Sequence, residues 1–243
     1  MESLTCRLLI DAAAVGSANM AADEVLLESA EAGGASLRFY TWSEPTLSLG
    51  YFQSAATRLA DPLVAGLPFV RRMTGGDAIV HHHELTYALA LPSARSWHGG
   101  ESWMFRLHLM IVRAFANLGV ALDLMSADPG GKPLLCFQHP TPGDVLWQGR
   151  KVVGSAQRKR RGALLQHGSI LLATSPHAPQ LPGLQDLTKK TLAADDVRAA
   201  LIAEFAQQTG WHVQTIGWTP AEKERCEALA RTRYAAEGWN GKR

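Results

Sequence analysis

The sequence predicts an α+β domain built on a mixed or antiparallel sheet. Short segments of alternating or β-branched apolar residues, which are typical of strands, lie between a few longer amphipathic segments that are typical of helices. The two kinds of segment do not alternate regularly, which argues against a parallel βαβ sheet. With 243 residues, of which 47% are hydrophobic and 19% charged, the chain is long enough for a substantial core. We expect residues 1–243 to form a single domain.

Helical periodicity marks the longer segments. Helices are predicted over residues 19–30, 103–118, 195–209 and 220–236. Ser17 or Asn19 is the predicted N-cap of the first helix, and Gly119 follows the second as its terminator. Residues 103–118 have the clearest helical pattern of the chain.

Alternation and turn residues mark the strands. Strands are predicted over residues 37–40, 46–51, 69–72, 78–80, 86–91, 145–147, 151–154 and 168–173. Gln148-Gly149 is the predicted turn of a hairpin between two of them. Residues 126–143 are rich in proline and glycine and are predicted to form a loop.

Charge and cysteine content exclude several classes of protein. The net charge of +2 gives no overall field that would attract nucleic acid or an anionic membrane. The N-terminal residues show no secretion signal, and no run of about 18 apolar residues is long enough to cross a bilayer. The chain has three cysteines, an odd number, at the widely spaced positions Cys6, Cys136 and Cys226. This fits a reducing cytosol better than a disulfide framework. We therefore expect a cytoplasmic protein with neither nucleic acid nor membrane as a partner.

The TGGD turn, residues 74–77, follows a predicted strand and two arginines. Adjacent glycines allow positive φ and leave backbone amides open to an oxyanion or phosphate, and Arg71 and Arg72 suit the same anions. An ordinary β-turn explains the same residues. The spacing matches neither a P-loop nor a dinucleotide-binding fingerprint.

Histidines raise the question of a metal site. His81, His82 and His83 are consecutive, so on a strand only the first and third share a face, and no further ligand stands at a zinc spacing. Cys136 and His139 form too short a signature to indicate zinc. We predict no metal and interpret the three histidines as an ordinary polar strand end.

Cys136 stands fifteen residues ahead of Lys151, which lies in the predicted hairpin. A thiol beside an ammonium forms a thiolate at neutral pH, because the positive charge stabilises the ionised sulfur. This predicts acyl chemistry through the cysteine, with His139 as an alternative base. The alternative is that Cys136 is a small buried apolar residue, the usual role of an isolated cysteine and the one we assign to Cys6 and Cys226.

Residues 158–161, RKRR, form a basic run. A solvated turn is one interpretation, and a docking site for an acidic partner protein is the other. Binding of nucleic acid is not favoured, because no aromatic residues interleave with the charges.

Several segments resemble the biotin/lipoate protein ligase superfamily. The matching segments are SANMAADEVLL at 17–27, LRFYTWSEPTLSLGYFQ at 37–53, RRMTGGDAIVHHHELTYAL at 71–89, GRKVVGSAQRKRRGALLQHGSILL at 149–172 and LARTRYAAEGWN at 229–240. The resemblance therefore covers roughly residues 5–240. It implies one catalytic domain of the class II synthetase-like type, with a largely antiparallel sheet flanked by helices.

Within this superfamily the sequence is most similar to the cysteine-dependent octanoyltransferases of the Gram-positive type, since Cys136 matches their nucleophile. The resemblance implies that octanoate passes from acyl carrier protein to Cys136 as a thioester. From Cys136 it passes to a lysine of a lipoyl-acceptor protein, either the glycine cleavage H protein or the lipoyl domain of a dehydrogenase E2. Lys151 is the implied second catalytic residue, and no cofactor is required, because the thioester already carries the activation.

The resemblance also implies which residues bind substrate. They are Arg72, Thr74, Gly75, Gly76, Ala78, His81, Gly154, Ser155, Ala156, His167 and Gly168. Backbone amides near Gly75-Gly76 or Gly154-Ser155 are expected to hold the oxyanion. Four apolar residues are candidates for the acyl tunnel, namely Leu47, Leu49, Val80 and Leu89, although core packing explains each of them as well.

Other functions remain open at this point. The first is an ATP-dependent lipoate–protein ligase, which would use ATP and Mg²⁺ with Cys136 incidental. The second is a non-catalytic module that binds lipoyl domains or an acyl ligand, and a cysteine-dependent amidotransferase is the third. Asp77 departs from the family pattern, because ligases usually have glycine there and these octanoyltransferases often have arginine.

Overall fold

Two β-sheets organise the residues that the computed structural model describes, which are 4–94, 102–126 and 135–242. The strands are β1 (Thr5–Ile10), β2 (Ser36–Tyr40), β3 (Thr46–Leu49), β4 (Phe69–Arg71), β5 (Ile79–His81), β6 (Glu84–Leu91), β7 (Asp123–Leu124), β8 (Val145–Trp147), β9 (Arg150–Arg160), β10 (Ala163–Leu171) and β11 (His212–Thr215). The larger sheet has the order β11-β1-β2-β6-β10-β9-β8-β7, and the smaller has the order β4-β3-β5.

The larger sheet is mixed but mostly antiparallel. Strand β1 runs parallel to β2 and β11, whereas β2, β6, β10, β9, β8 and β7 pair antiparallel in succession. In the smaller sheet β3 is parallel to β4 and antiparallel to β5. The predicted α+β class is therefore confirmed. Short turns join β8 to β9 and β9 to β10, as antiparallel neighbours allow, whereas the other antiparallel pairs are formed by strands far apart in sequence.

Helices cover both faces of the larger sheet. They are α1 (Gly16–Glu31), α2 (Pro62–Ala65), α3 (Trp103–Asn117), α4 (Leu184–Thr188), α5 (Ala194–Thr209), α6 (Pro220–Leu229) and α7 (Glu237–Asn240). Successive residues of β6 alternate between two cores, so Tyr87 and Leu89 pack with α3 and α5, whereas Ala88 and Ala90 pack with α1 and α6. None of these helices, within the described ranges, has the length and apolar character needed to cross a membrane.

Some predicted boundaries are wrong. The first helix begins at Gly16 with Val15 as its N-cap, and Asn19 instead donates its side-chain amide to the carbonyl oxygens of Ala14 and Thr41. The predicted helix over 220–236 changes from α to π geometry after Leu229. Strands β9 and β10 are longer than predicted, because they pair along almost their whole length. Most of the basic run therefore lies on a strand.

Candidate functional site

A tight hairpin turn brings Lys151 to Cys136. Gln148 and Gly149 have φ values of 45° and 80°, the left-handed conformation that a two-residue hairpin loop requires. The turn reverses the chain so that Lys151 pairs with Leu146 across the hairpin. The Lys151 Nζ atom lies 3.3 Å from Cys136 Sγ and 3.3 Å from the Cys136 carbonyl oxygen. The structure thus brings together the two residues that were predicted to be catalytic.

The backbone of Cys136 is fixed by the segment that follows the TGGD turn. Residues Cys136–Gln138 form one turn of 3-10 helix, and the Cys136 amide donates to the Ala78 carbonyl oxygen at 2.8 Å. Ala78 also forms a β-bridge with Leu135. Ala78 was predicted to bind substrate; here it holds the cysteine in place, and its side chain is buried in an apolar cluster.

Asp144 forms an ion pair with Lys151 that sequence reasoning did not find. Its Oδ2 atom lies 2.7 Å from Lys151 Nζ, and both side chains are buried. The same oxygen accepts hydrogen bonds from the Thr141 amide at 2.7 Å and the Thr141 hydroxyl at 2.9 Å. Lys151 therefore directs its ammonium hydrogens at one carboxylate and at Cys136. The sequence signal was a carboxylate directly before the strand that pairs with the lysine.

Gly154 makes the space that Lys151 occupies. A Cβ atom at residue 154 would lie 2.6 Å from Lys151 Cε, so the lysine chain packs directly on the glycine backbone. Gly168 is crowded in the same way, because a Cβ there would lie 2.4 Å from the Tyr87 hydroxyl and 2.5 Å from Ser155 Oγ. These contacts explain why glycines stand at both positions.

Cys136 opens onto a cavity between the two sheets. The predicted residues that line it are Arg72, Gly76, His81, Cys136, Gly154, Ser155, Ala156, His167 and Gly168. Further lining residues were not predicted, namely Met20, Tyr40, Ser48, Ile79, Thr86 and Ser169. They come from elements that are distant in sequence, and although all six lie within the family-like segments, no charged or reactive side chain distinguished them there.

The apolar residues proposed for an acyl tunnel do not line this cavity. Leu47, Leu49 and Val80 belong to an apolar cluster around the smaller sheet, and Leu89 lies in the core beneath α3 and α5. The interpretation as tunnel residues is therefore wrong for this cavity, and core packing explains all four. They alternate on strands toward the covered faces of the sheets.

His81 forms part of the cavity wall. Its Nδ1 atom lies 2.5 Å from Glu84 Oε1 and its Nε2 atom lies 2.7 Å from Ser48 Oγ. The ring also stacks on Trp42 with centroids 3.8 Å apart. Both ring nitrogens therefore have protein partners, so His81 shapes the wall and presents its ring to the cavity.

His167 connects the cavity to helix α1 and to the TGGD turn. Its Nδ1 atom lies 2.8 Å from Asp23 Oδ2, and its Nε2 atom lies 2.7 Å from Thr74 Oγ1. Burial favours a higher pKa of the Asp23 carboxyl, but the His167 hydrogen bond and the charge of Arg38 hold that pKa below its ordinary value. Thr74, predicted to bind substrate, is buried and bonded to His167, so it fixes the turn.

Arg72 supports the turn from within. Its guanidinium donates to the carbonyl oxygens of Gly75 at 2.8 Å, Asp77 at 2.7 Å and Ser48 at 3.1 Å. Burial lowers the pKa of Arg72 to about 10, which the nearby Cys136 and Asp77 oppose. Within the described part of the chain, no protein acceptor faces the amides of Gly75 and Gly76. Gly76, with φ of 86°, lines the cavity together with Cys136.

The histidine run lies partly outside this site. His82 and His83 stack on each other with centroids 3.6 Å apart, while His81 faces the cavity. Among the described residues, no group of three or more histidine, cysteine, aspartate or glutamate side chains is arranged to hold a metal ion.

The basic run is divided between structure and surface. Arg160 forms ion pairs with Glu24 at 2.9 Å and with Glu31, and Arg161 pairs with Glu31 at 3.2 Å. These contacts bind the end of β9 to α1. Arg158 is exposed and lies over the Tyr51 ring, so it is available to a partner protein.

Comparison with known proteins shows where this architecture recurs. Residues 16–180 match the family model described as the lipoyl protein ligase A/B catalytic domain. Octanoyltransferase LipM of Kyrpidia tusciae is 32% identical, with 97% of this chain and 98% of that protein covered. Octanoyltransferase LipM of Bacillus subtilis is 30% identical over the full length of both.

Solved structures show the same fold. Lipoate-protein ligase A bound with ATP superposes with a TM-score of 0.78 at 23% identity, covering 98% of this chain and 99% of that chain. A bipartite lipoate protein ligase from Thermoplasma acidophilum gives 0.77 at 22% identity, covering 98% and 96%. At these identities the likeness concerns the fold alone.

Proposed function

Because the chain belongs to the lipoyl protein ligase A/B catalytic domain family, we propose that it is an octanoyltransferase of lipoate biosynthesis. Its full-length curated relatives at about 30% identity are octanoyltransferases, which supports this activity over that of a ligase. The observation that carries the proposal is the 3.3 Å contact between Lys151 Nζ and Cys136 Sγ, with Asp144 behind the lysine. This is the arrangement that activates a thiol as a nucleophile.

In the first half-reaction, the Cys136 thiolate attacks the thioester carbonyl of octanoyl–acyl carrier protein. A bond forms between Cys136 Sγ and the octanoyl carbon, and the bond from that carbon to the carrier sulfur breaks. The carrier leaves as a thiol after taking a proton from the Lys151 ammonium, which lies 3.3 Å from Cys136 Sγ. The octanoyl chain then extends from Cys136 into the cavity.

In the second half-reaction, a neutral lysine amine of the lipoyl-acceptor protein attacks the octanoyl-enzyme. The new amide bond forms as the bond to Cys136 Sγ breaks, and the proton lost by the amine returns to the Lys151 amine. Cys136 and Lys151 are then as they were at the start. The thioester already carries the activation, so the proposal needs neither ATP nor Mg²⁺.

The amides of Gly75 and Gly76 are the better candidates for the oxyanion site. They have no protein acceptor in the described residues, and Gly76 shares the cavity with Cys136. Gly154 and Ser155, the alternative, lie within the paired region of β9 and β10. One such donor typically contributes about 3 kcal/mol to the stabilisation of the transition state.

The proposed partners follow from this reaction. An acyl thioester on a carrier protein is the donor, and a lysine on a lipoyl domain is the acceptor. We propose acyl carrier protein for the donor, and the glycine cleavage H protein or a dehydrogenase E2 lipoyl domain for the acceptor. Arg158, exposed on the same strand as the cavity residue Ala156, is suitably placed to attract an acidic partner.

Intact mass spectrometry after incubation with octanoyl–acyl carrier protein, without ATP, tests the proposal. We expect a hydroxylamine-labile gain of one octanoyl group that is absent in Cys136→Ala and retained in the matched control Cys226→Ala. Addition of H protein should then discharge the adduct. Transfer that requires ATP and free lipoate, and that survives in Cys136→Ala, would instead assign the ligase activity. Binding of H protein without turnover of either donor would indicate a non-catalytic module.

A further inference from the structure

His108 is a buried titratable residue that the proposed chemistry does not use. It lies on α3 in the core with 0% of its surface exposed. Its Nδ1 atom is 2.5 Å from the Gly143 carbonyl oxygen. Its Nε2 atom is 2.5 Å from Ser155 Oγ and 3.0 Å from the Tyr87 hydroxyl. A histidine bonded on both sides inside an apolar core has a role beyond filling space.

The chemistry of its partners fixes the tautomer of His108. A carbonyl oxygen only accepts, so Nδ1 carries the hydrogen and donates to Gly143. Burial lowers the pKa of His108, so the ring is neutral at pH 7 and Nε2 is an acceptor. Ser155 or Tyr87 then donates its hydroxyl hydrogen to Nε2. The ring therefore acts as a rigid bridge between two backbone segments.

Those two segments are the walls of the space that holds Lys151. Gly143 directly precedes Asp144, whose carboxylate is 2.7 Å from Lys151 Nζ. Ser155 directly follows Gly154, against which Lys151 Cε packs. A shift of either wall would change the direction in which the ammonium points, because both contacts lie along the same side chain.

We propose that His108 is a positioning residue that keeps Lys151 Nζ directed at Cys136 Sγ. It touches neither the lysine nor the sulfur in the contacts described above and acts through Gly143-Asp144 and Gly154-Ser155. Its effect on turnover rests on the proposed function. Its effect on the environment of the thiol does not depend on that function, since the contact between Lys151 and Cys136 exists without any substrate.

The rate of Cys136 alkylation by iodoacetamide at pH 7.5 provides the test, because a thiol reacts as the thiolate that the ammonium stabilises. Burial raises the pKa of Cys6 to about 12 and that of Cys226 to about 11, so both remain protonated at pH 7.5 and react slowly. Peptide mapping then measures the alkylation of Cys136 separately. His108→Phe keeps a ring but removes the hydrogen bonds to Gly143, Ser155 and Tyr87. We expect it to slow Cys136 alkylation on the order of 10-fold, as loss of such supporting contacts typically does.

Rescue separates positioning from general damage to the core. His108→Asn places an amide nitrogen close to the position of Nδ1, so it restores only the Gly143 side of the bridge and should recover part of the alkylation rate. His108→Gln restores only the Ser155 side and should likewise recover part of the rate; it replaces the phenylalanine variant if that variant does not fold. Phe115→Leu is the matched control, since Phe115 is a buried residue on the same helix and core with no role at the site.

Three outcomes would overturn the inference: a folded His108→Phe protein that alkylates at the wild-type rate, equal slowing in Phe115→Leu, or rates in both His108→Asn and His108→Gln that are no higher than in His108→Phe. Octanoyl transfer is measured in parallel on the same proteins. Absence of any octanoyl adduct on the wild type, with the alkylation pattern intact, would reject the proposed function and leave the positioning role standing. The two proposals therefore fail independently.

Discussion

The ion pair between Lys151 and Asp144 is costly to break. The two side chains are 2% and 6% exposed, and their charged atoms are 2.7 Å apart. Burying two opposite charges brings little net stability, because each loses its hydration. Removing only one of them leaves the other charged and buried, which is far less favourable than the intact pair.

Lys151→Met should therefore destabilise the protein by about 3–5 kcal/mol, because it leaves the Asp144 carboxylate buried without its cation and with hydrogen bonds from Thr141. The double variant Lys151→Met with Asp144→Asn should regain much of this loss, since no charge then remains. Urea unfolding measures both free energies, and Lys223→Met, an exposed lysine, is the control. A double variant no more stable than Lys151→Met would contradict this account.

Which site residues could be predicted depends on how they are positioned. Cys136 and Lys151 stood out because a hairpin turn and a proline/glycine loop are local features, readable from residues close in sequence. His108 lies 35 residues from the carbonyl to which it bonds, on the buried face of an amphipathic helix whose other buried residues are apolar. Only the packing of α3 against the larger sheet brings them together, and no local pattern encodes that packing.

At the scale of elements, Asp23 binds helix α1 to the larger sheet. Its carboxylate accepts from Arg38 Nη1 at 2.8 Å and from the Tyr40 hydroxyl at 2.9 Å, both on β2. On β10 it accepts from His167 at 2.8 Å. The helix side chain thereby joins two strands of the larger sheet and, through His167, the TGGD turn.

The depressed pKa of Asp23 predicts a specific dependence of stability on pH. A carboxyl whose pKa is lower in the folded than in the unfolded state contributes stability above the unfolded value, about 3.9, and loses it as pH falls through the folded value. The free energy of unfolding should therefore fall below about pH 4. Asp23→Asn should lower the free energy of unfolding at pH 7 and make its decrease below pH 4 less steep. Asp196→Asn, at an exposed position, should leave that decrease as it is in the wild type. Urea titrations from pH 7 to pH 3 provide the measurement, and an unchanged slope in Asp23→Asn would contradict it.

Some boundaries of helices and strands could not be predicted from the sequence, because tertiary contacts decide them. The start of α1 is set by backbone contacts, since Asn19 uses its amide to tie Ala14 to Thr41 and leaves the cap to Val15. Most of the basic run lies on a strand because β9 pairs with β10 up to Arg160, whose guanidinium also forms ion pairs with Glu24 and Glu31 on α1. Each is a tertiary contact that overrides the preference of the residues for a cap or a turn.

Across the whole molecule, the C-terminal segment is connected through Arg71 to the loop that packs on the TGGD turn. Asn240 Oδ1 accepts from the Arg71 amide at 2.8 Å, and Asn240 Nδ2 donates to the Tyr234 carbonyl oxygen at 2.8 Å. The Arg71 guanidinium in turn donates to the carbonyl oxygens of Gly50 at 2.9 Å and Gln53 at 2.7 Å. This loop packs on the TGGD turn, because the Tyr51 amide donates to Thr74. Residues at the end of the chain therefore stabilise the glycine turn of the cavity.

Asn240→Ala should weaken this connection and its effect should extend to the cavity. The buried Arg71 amide loses its acceptor, which costs about 1–3 kcal/mol in the free energy of unfolding. Hydrogen exchange should rise in residues 50–53 and 73–76 as well as in the C-terminal segment. Arg71 bonds to the C-terminal segment and to residues 50–53, and those residues in turn bond to the TGGD turn. Asn117→Ala, an exposed asparagine at the end of α3, is the matched control. Faster exchange confined to the C-terminal segment would show that Arg71 keeps the turn in place without Asn240, and the end of the chain would then have no part in shaping the site.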